Sequence, residues 1–351
     1  MRRKKEAVLC FESCDDGLPK VVRDYRARYR AISQVLDANG ELLSAVHKDL
    51  QELSEGDSTG REGDYTSENI LRALIVQDLE GLPFREAVIR IGSEPFLQDF
   101  LRMRKKPVMD YSFLNKCFLA IRPQTWKRVN ELLGRYGVTQ EAVSTRVIRT
   151  DTTVVESNIH YPTDASLLWD TWRVASRLLI RAREVAPGSV PHRFHDRKIK
   201  RGRREKPVEF GHKVLLCESA EKFITDYEVY AKQQADCELT ESVIQRHEKL
   251  FGARPEVLAA DKGFCPAKAK FAELAQRVAT LAIPRRMQDF VDKMLAHWQA
   301  FRAGIEGTIS GLKRAFRLIR CFFRGFRSFE AAVGLGVFCH NLIVLADYAS
   351  G

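Results

Sequence analysis

Three carboxylates carry the chemical interest of this sequence. Asp151 lies inside Arg146-Val-Ile-Arg-Thr-Asp-Thr-Thr-Val-Val155, a β-branched run that reads as a strand. Asp261 closes Glu256-Val-Leu-Ala-Ala-Asp261, a short apolar run of the same kind. A carboxylate in a buried strand is costly unless it is paired or bound to a metal, so each Asp either caps a strand or turn or serves a site. The third acid, Glu306, is on a predicted helix. At about 100° per residue, Glu306 lies about 40° and Lys313 about 20° from Arg302 on the wheel. Arg317, Arg320, Arg324 and Arg327 join them if the helix continues that far, and Gly325 makes the last position doubtful. Ile305, Leu312, Phe316, Ile319 and Phe323 form an apolar stripe beside this row. A row of cations with one acid suits a phosphate backbone, with the acid reserved for a metal. Asp151, Asp261 and Glu306 together can hold two divalent ions roughly 3.5–4 Å apart, the arrangement that activates water or a 3′-hydroxyl for in-line displacement at a phosphodiester. Hard oxygen ligands suit Mg2+ or Mn2+, not zinc.

The elements that must position these acids follow from periodicity. Residues 20–52 read as helix, interrupted at Asn39-Gly40, and 53–64 as a polar Gly-rich linker. Short helices are predicted at 70–79, 84–91, 112–121 and 124–136, giving a helical region over about 66–140. That region is either a helix-turn-helix DNA binder or a packing module. After the strand at 146–155 come a helix at about 164–185 and a basic tract, 193–206. The tract includes Lys198, Lys200, Arg201, Arg203 and Arg204 and is expected either to lie on DNA or to be a disordered basic linker. Strands are predicted at 209–218, 223–231, 256–261 and 278–283, with a helix at about 238–250 and mostly helix from 289 to 348. A helical first part followed by mixed strands and helices argues for an α/β domain behind an all-helical one. The expected divisions are 1–65, 66–140 and 141–351.

Composition sets the outer limits. With 351 residues the chain has room for about two domains of the usual ~150. Apolar residues make up 45% and charged residues 29%, which excludes wholesale disorder and a membrane-spanning majority. The net charge of +11 fits either a polyanion partner or a solvated basic surface. The eight cysteines are scattered with no CxxC pair, so neither a zinc finger nor a disulfide framework is expected. The N-terminal apolar run is too short for a signal peptide, and no run approaches the roughly 18 residues of a spanning helix, so a cytoplasmic protein with no membrane partner is expected.

Arg302-x3-Glu306-x6-Lys313, Ala260-Asp-Lys-Gly-Phe264, and Arg149-Thr-Asp-Thr-Thr-Val-Val-Glu-Ser-Asn158 with Tyr161-Pro-Thr-Asp164 resemble the signature segments of DDE transposases of bacterial insertion sequences. The resemblance is to the broad IS4/IS5-like group, most closely the ISNCY-type elements, and covers about residues 20–350. Glu209-Phe-Gly-His-Lys213 and Thr66 to Arg102 are similar to the same proteins, whereas Gln299 stands where their signature has Tyr. The resemblance implies an RNase H-like catalytic domain with the two Asp on neighbouring strands and the Glu on a following helix. It also implies Mg2+- or Mn2+-dependent nicking of element ends, joining of the 3′-hydroxyl ends to target DNA, and a homodimer to hold two ends. Asp151, Asp261 and Glu306 are then the metal ligands. Arg302 and Lys313, joined by Arg317, Arg320 and the basic tract, contact DNA. The competing expectations are an RNase H-fold nuclease that cuts without joining and a non-catalytic DNA-binding descendant. Lys213 is expected to face the site from a strand, and His212 either to face it or to have an ordinary hydrogen-bonded role. Glu156 and Asp164 are read as surface and turn residues, and Trp298 as a core residue ahead of a base-stacking one.

Overall fold

The computed structural model describes residues 2–5, 15–55, 65–103, 106–158, 164–186, 211–232, 234–285 and 293–350. The basic tract at 193–206, with Lys198, Lys200, Arg201, Arg203 and Arg204, lies outside the described residues. Among the described residues seven helices come first: α1 (Lys20–Ala38), α2 (Gly40–Glu55), α3 (Ser67–Leu79), α4 (Phe84–Ser93), α5 (Pro95–Phe100), α6 (Tyr111–Ala120) and α7 (Pro123–Thr139). Local chemistry sets several of their ends. Asn39 separates α1 from α2, and Thr66 with Asn69 forms a reciprocal capping box at the start of α3. Proline at the first position starts α5 and α7, where its missing N–H costs nothing. The helix α5 has no counterpart among the sequence expectations.

Strand β1 (Val147–Glu156) follows, then helix α8 (Asp164–Val185), β2 (Gly211–Ser219), β3 (Ile224–Tyr230), α9 (Asp236–Phe251), β4 (Val257–Ala259), α10 (Lys268–Arg277), β5 (Thr280–Ala282), α11 (Lys293–Ala315) and α12 (Phe326–Ser350). The protein is α/β, and the described residues form a mixed five-stranded sheet in the order β3-β2-β1-β4-β5. The β1–β2 and β2–β3 pairs are antiparallel, and β1–β4 and β4–β5 are parallel.

Residues 1–157 and 211–351 form one compact unit and 158–210 a second. The expected divisions near 65 and 140 both fall inside the first. There α1–α7 share a core with α12 and with one face of the sheet, through Trp126, Val155, Leu216, Tyr227 and Phe338. The opposite face, through Ile148, Leu215, Cys217 and Leu258, packs on α9 and α10. In the second unit α8 exposes Leu168, Leu178 and Ile180, and its Trp169 and Trp172 rings stack 4.8 Å apart.

Against the expectation that no run is long and apolar enough to span a membrane, Phe326–Ala349 of α12 passes by length and composition. Most of that window, 72%, is buried, and α12 packs on α1, α3, α7 and β3. Its apolar character is explained by this interior position. Asn341 anchors it by accepting from Ile224 N (2.8 Å) and donating to Ile224 O (2.9 Å).

Candidate active site

The β1–β4 register brings the first two acids together. Arg149 pairs with Ala259, so extending the parallel register by two residues sets Asp151 level with Asp261. Neighbouring strands run about 4.8 Å apart. At the end of β4 the chain turns into a single 3-10 turn over Lys262–Phe264, and Asp261 caps it, its Oδ1 accepting from Phe264 N at 3.3 Å.

Helix α11 brings the third acid over this end of the sheet. Residues alternate across a strand, so Arg149 and Asp151 point to the same face, and both meet α11. Arg302 Nη1 donates to Asp151 Oδ2 at 3.1 Å, and Arg302 Nη2 donates to Glu306 Oε1 at 2.9 Å. One guanidinium thus bridges two of the three acids. The Asp151 side chain is only 16% exposed, while that of Glu306 is 63% exposed. Burial raises the Asp151 carboxyl above its ordinary range, and the charges of Asp261 and Glu306 push the same way. The backbone N–H of Thr152 and the Arg302 charge pull it back.

Beneath the acids lies a buried clamp. Arg149 Nε donates to Glu218 Oε2 at 2.6 Å, and Arg149 Nη1 donates to Phe301 O at 2.8 Å. The other Glu218 oxygen accepts from the Thr308 hydroxyl. Arg149 also lies over the Phe301 ring, 4.8 Å from its centre. Gly304 makes this approach possible, because a Cβ there would stand 2.1 Å from Arg149 Nη1. Further along α11, Gln299 Nε2 donates to Ala260 O at 3.1 Å and to Ala282 O at 3.0 Å. The residue in place of the signature tyrosine therefore staples α11 to β5 and to the carbonyl next to Asp261. Trp298 packs with Leu295 and Phe301 against Val257, Ala259 and Ala282, a core role.

Other expected positions resolve differently. His212 packs its ring 4.9 Å from that of Phe326 and 4.8 Å from that of Phe329, on the face shared with α12. Lys213 points to the opposite face and donates to Asp236 Oδ1 at 2.9 Å and to Gln234 O at 2.7 Å. Thr152 Oγ1 donates to the same Asp236 oxygen at 3.0 Å. A Cβ at Gly263 would lie 3.0 Å from Asp261 Oδ1 and 3.6 Å from Asp236 Oδ2, so Asp236 is a fourth acid beside the site. Its signal in the sequence was the acidic pair, Asp236 and Glu238, opening a helix.

Lys313 is in the last turn of α11, as the wheel places it, but the helix ends at Ala315. Arg317 takes φ 56° and leads the chain away, so Arg317, Arg320 and Arg324 are not on the stripe and Arg327 belongs to α12. Phe316 and Leu318 bury themselves in the core and supply the reason for the turn. The segment then runs beside the end of β1, Glu156 N donating to Ile319 O and Cys321 N to Glu156 O.

Residues 180–342 match the family model described as Transposase DDE domain, and residues 19–118 match that of Transposase domain (DUF772). The chain carries a transposase DDE domain. The DDE-domain match takes in Asp261, Glu306 and the whole of α11 and begins beyond Asp151, which the β1–β4 register joins to them. No curated protein matches the chain, and no solved structure does.

Asp151, Asp261 and Glu306 are all carboxylates, donors of the kind that suits a hard divalent cation. The crowding of Asp261 and Glu306 charge on the half-buried Asp151 is the electrostatic situation a cation relieves. As placed, no three His, Cys, Asp or Glu side chains among the described residues are gathered closely enough to hold a metal. Arg302, bonded to both Asp151 and Glu306, stands as the counter-charge.

Proposed function

We propose that the protein is an insertion-sequence transposase with an RNase H-like catalytic domain, of the IS4/IS5-like group and closest to the ISNCY type. It nicks element ends by hydrolysis and joins the freed 3′-hydroxyls to target DNA. The observation that carries the reading is Asp151 on β1 with Asp261, two residues past the end of β4, level with it by register, and Glu306 joined to Asp151 through Arg302. Asp151, Asp261 and Glu306 would hold two Mg2+ or Mn2+ ions, whose chemistry is activation of water or a 3′-hydroxyl for in-line displacement.

The residues around the acids have their own tasks. Arg302 orients Asp151 and Glu306, and its guanidinium is poised to turn to a phosphate oxygen as DNA arrives. Lys313, about three turns along α11 from Arg302, and Arg317 and Arg320 beyond it take further phosphates. The basic tract at 193–206 adds sequence-independent attraction for the DNA backbone. The DNA partners are element ends and target. The protein works in the cytoplasm as a homodimer, because two ends must be held at once.

Labelled end DNA incubated in Mg2+ or Mn2+ tests the reading. Joined product is expected from the native protein and none from Asp151→Asn, Asp261→Asn or Glu306→Gln. Cutting without joining in both metals makes the protein a nuclease, and binding without any product makes it a non-catalytic DNA binder.

A further inference from the structure

Helix α8 carries an apolar stripe with the spacing of a helix–helix seam. Leu168, Trp172, Ala175, Leu179, Ala182 and Ala186 recur at alternating steps of four and three residues, the heptad pattern of a coiled coil. At about 100° per residue all six fall within about 40° of Leu168 on the wheel. Asp170, Arg173, Arg177, Arg181 and Glu184 fall on the opposite side, at about 140° to 220°. The helical bonding reaches the last seam position, where Ala186 N donates to Ala182 O at 2.8 Å. None of the six seam residues is buried, and Leu168 is 58% exposed. An apolar seam of this kind is stable in water only when a second helix covers it.

The order of side-chain sizes says that the second helix is another α8. Laid antiparallel against itself about a two-fold axis near Arg177, the seam sets Leu168 against Ala186, Trp172 against Ala182 and Leu179 against Ala175 of the second copy. Each layer then joins one large and one small side chain, the arrangement that fills a helix interface evenly. A parallel pair would stack Trp172 on Trp172 and leave the alanine layers hollow. Charge favours the same direction. Arg177, Arg181 and Arg183 lie in the C-terminal half of α8, and Asp170 lies in the other half, 3.2 Å from Arg173. A parallel pair would bring both arginine-rich ends together, and the antiparallel pair keeps them apart. Ser176 gives an independent observation. Its Oγ is buried and has no hydrogen-bond partner among the described residues. In the antiparallel register the two Ser176 hydroxyls meet beside the axis, and one can donate to the other.

We propose that α8 is the surface through which two copies of this chain pair, as an antiparallel two-helix coiled coil that forms without DNA. Trp169 flanks the seam and lies beside Arg183 of the second copy in this register, where a guanidinium can sit over its ring. This pairing deepens the homodimer reading by naming its contact, rests on that reading, and has a test that separates the two.

Sedimentation equilibrium of the full chain without DNA reads the pairing, and the native protein is expected at twice the chain mass. Leu179→Glu places a charge in the seam and is expected to raise the dimer dissociation constant on the order of a hundredfold or more. Arg177→Ala, on the outer face, is expected to leave it unchanged. Ala182→Leu tests the register without adding charge. It overfills the layer of Trp172 in the antiparallel pair and is expected to weaken the dimer roughly tenfold. In a parallel pair the same change fills a hollow layer and tightens the dimer, so tightening overturns the proposed arrangement. A dimer that survives Leu179→Glu, or one that Arg177→Ala dissociates equally, overturns α8 as the contact and leaves the homodimer reading standing. A native protein that is monomeric without DNA also overturns the α8 pairing. Labelled end DNA then decides the wider reading, since a complex with two chains keeps the homodimer and a complex with one removes it as well.

Discussion

Arg302 is the residue on which the site turns. It is bonded to Asp151 and Glu306 at once, so it supplies the positive charge that lets two carboxylates share a small volume. Replacing it with Gln leaves the acids facing each other with no cation of the protein between them. Mg2+ is then expected to raise the melting temperature of Arg302→Gln by more than it raises that of the native protein, while DNA cleavage falls. Equal Mg2+ stabilisation of the two proteins would show that Arg302 and the metal do not compete for the same charge. Asp236 behaves differently. Its carboxylate is tied to Lys213 and Thr152 on the opposite face of β1, so Asp236→Asn is expected to weaken cleavage without abolishing it.

At the scale of elements, the position of α11 on β1 decides where Glu306 stands. The Arg149–Glu218–Thr308 clamp fixes it from below, and Arg149 and Glu218 are almost wholly buried. Arg149→Met leaves the Glu218 charge uncompensated and is expected to cost about 3–5 kcal/mol in urea unfolding. Pairing it with Glu218→Leu is expected to restore much of that stability. Cleavage stays low in the double variant, because the bond to the Phe301 carbonyl is gone. Restored cleavage would show that the clamp only fills space. Gly304→Ala tests the same contact from the helix side, with an overpacking cost of about 1–3 kcal/mol. Helix α12 has a comparable anchor in Asn341. Its removal by Asn341→Ala orphans both backbone groups of Ile224 and is expected to lower stability by roughly 2 kcal/mol or more.

For the whole molecule, two bulk measurements report on charge. With a net charge of +11 and phosphates as the partner, affinity for DNA is expected to fall steeply with salt, linearly on a log–log plot. A flat response would return the charge to a plain solvated surface. Stability is expected to depend on pH through Asp78. Its folded carboxyl titrates at about 7, against 3.8 ordinarily. Between those values the folded state holds a proton that the unfolded chain has released, so stability falls as pH rises toward and through 7. Asp78→Asn is expected to flatten that slope in thermal melts between acid and neutral pH.

Much of the architecture was readable from local chemistry. The Asn39-Gly40 break, the β-branched run around Asp151 and the helix over 164–185 all appear where period and punctuation place them, because these features act within a few residues of themselves. The three acids were likewise marked by their setting in apolar strands and a cationic helix. What sequence could not supply was registration between distant segments. The end of α11 at Ala315 was invisible because the apolar period runs on through Phe323. Only burial of Phe316 and Leu318 in a core shared with α12 turns the chain there. The roles of Arg149, Gln299 and Asp236 depend on partners tens of residues or more away, and Arg302 acquires its bridge only once α11 crosses β1. The sequence by itself determined which residues carry the charge and which segments become helix or strand, since those choices are local. The tertiary structure decided which charges meet, since a few ångströms between side chains are set by packing.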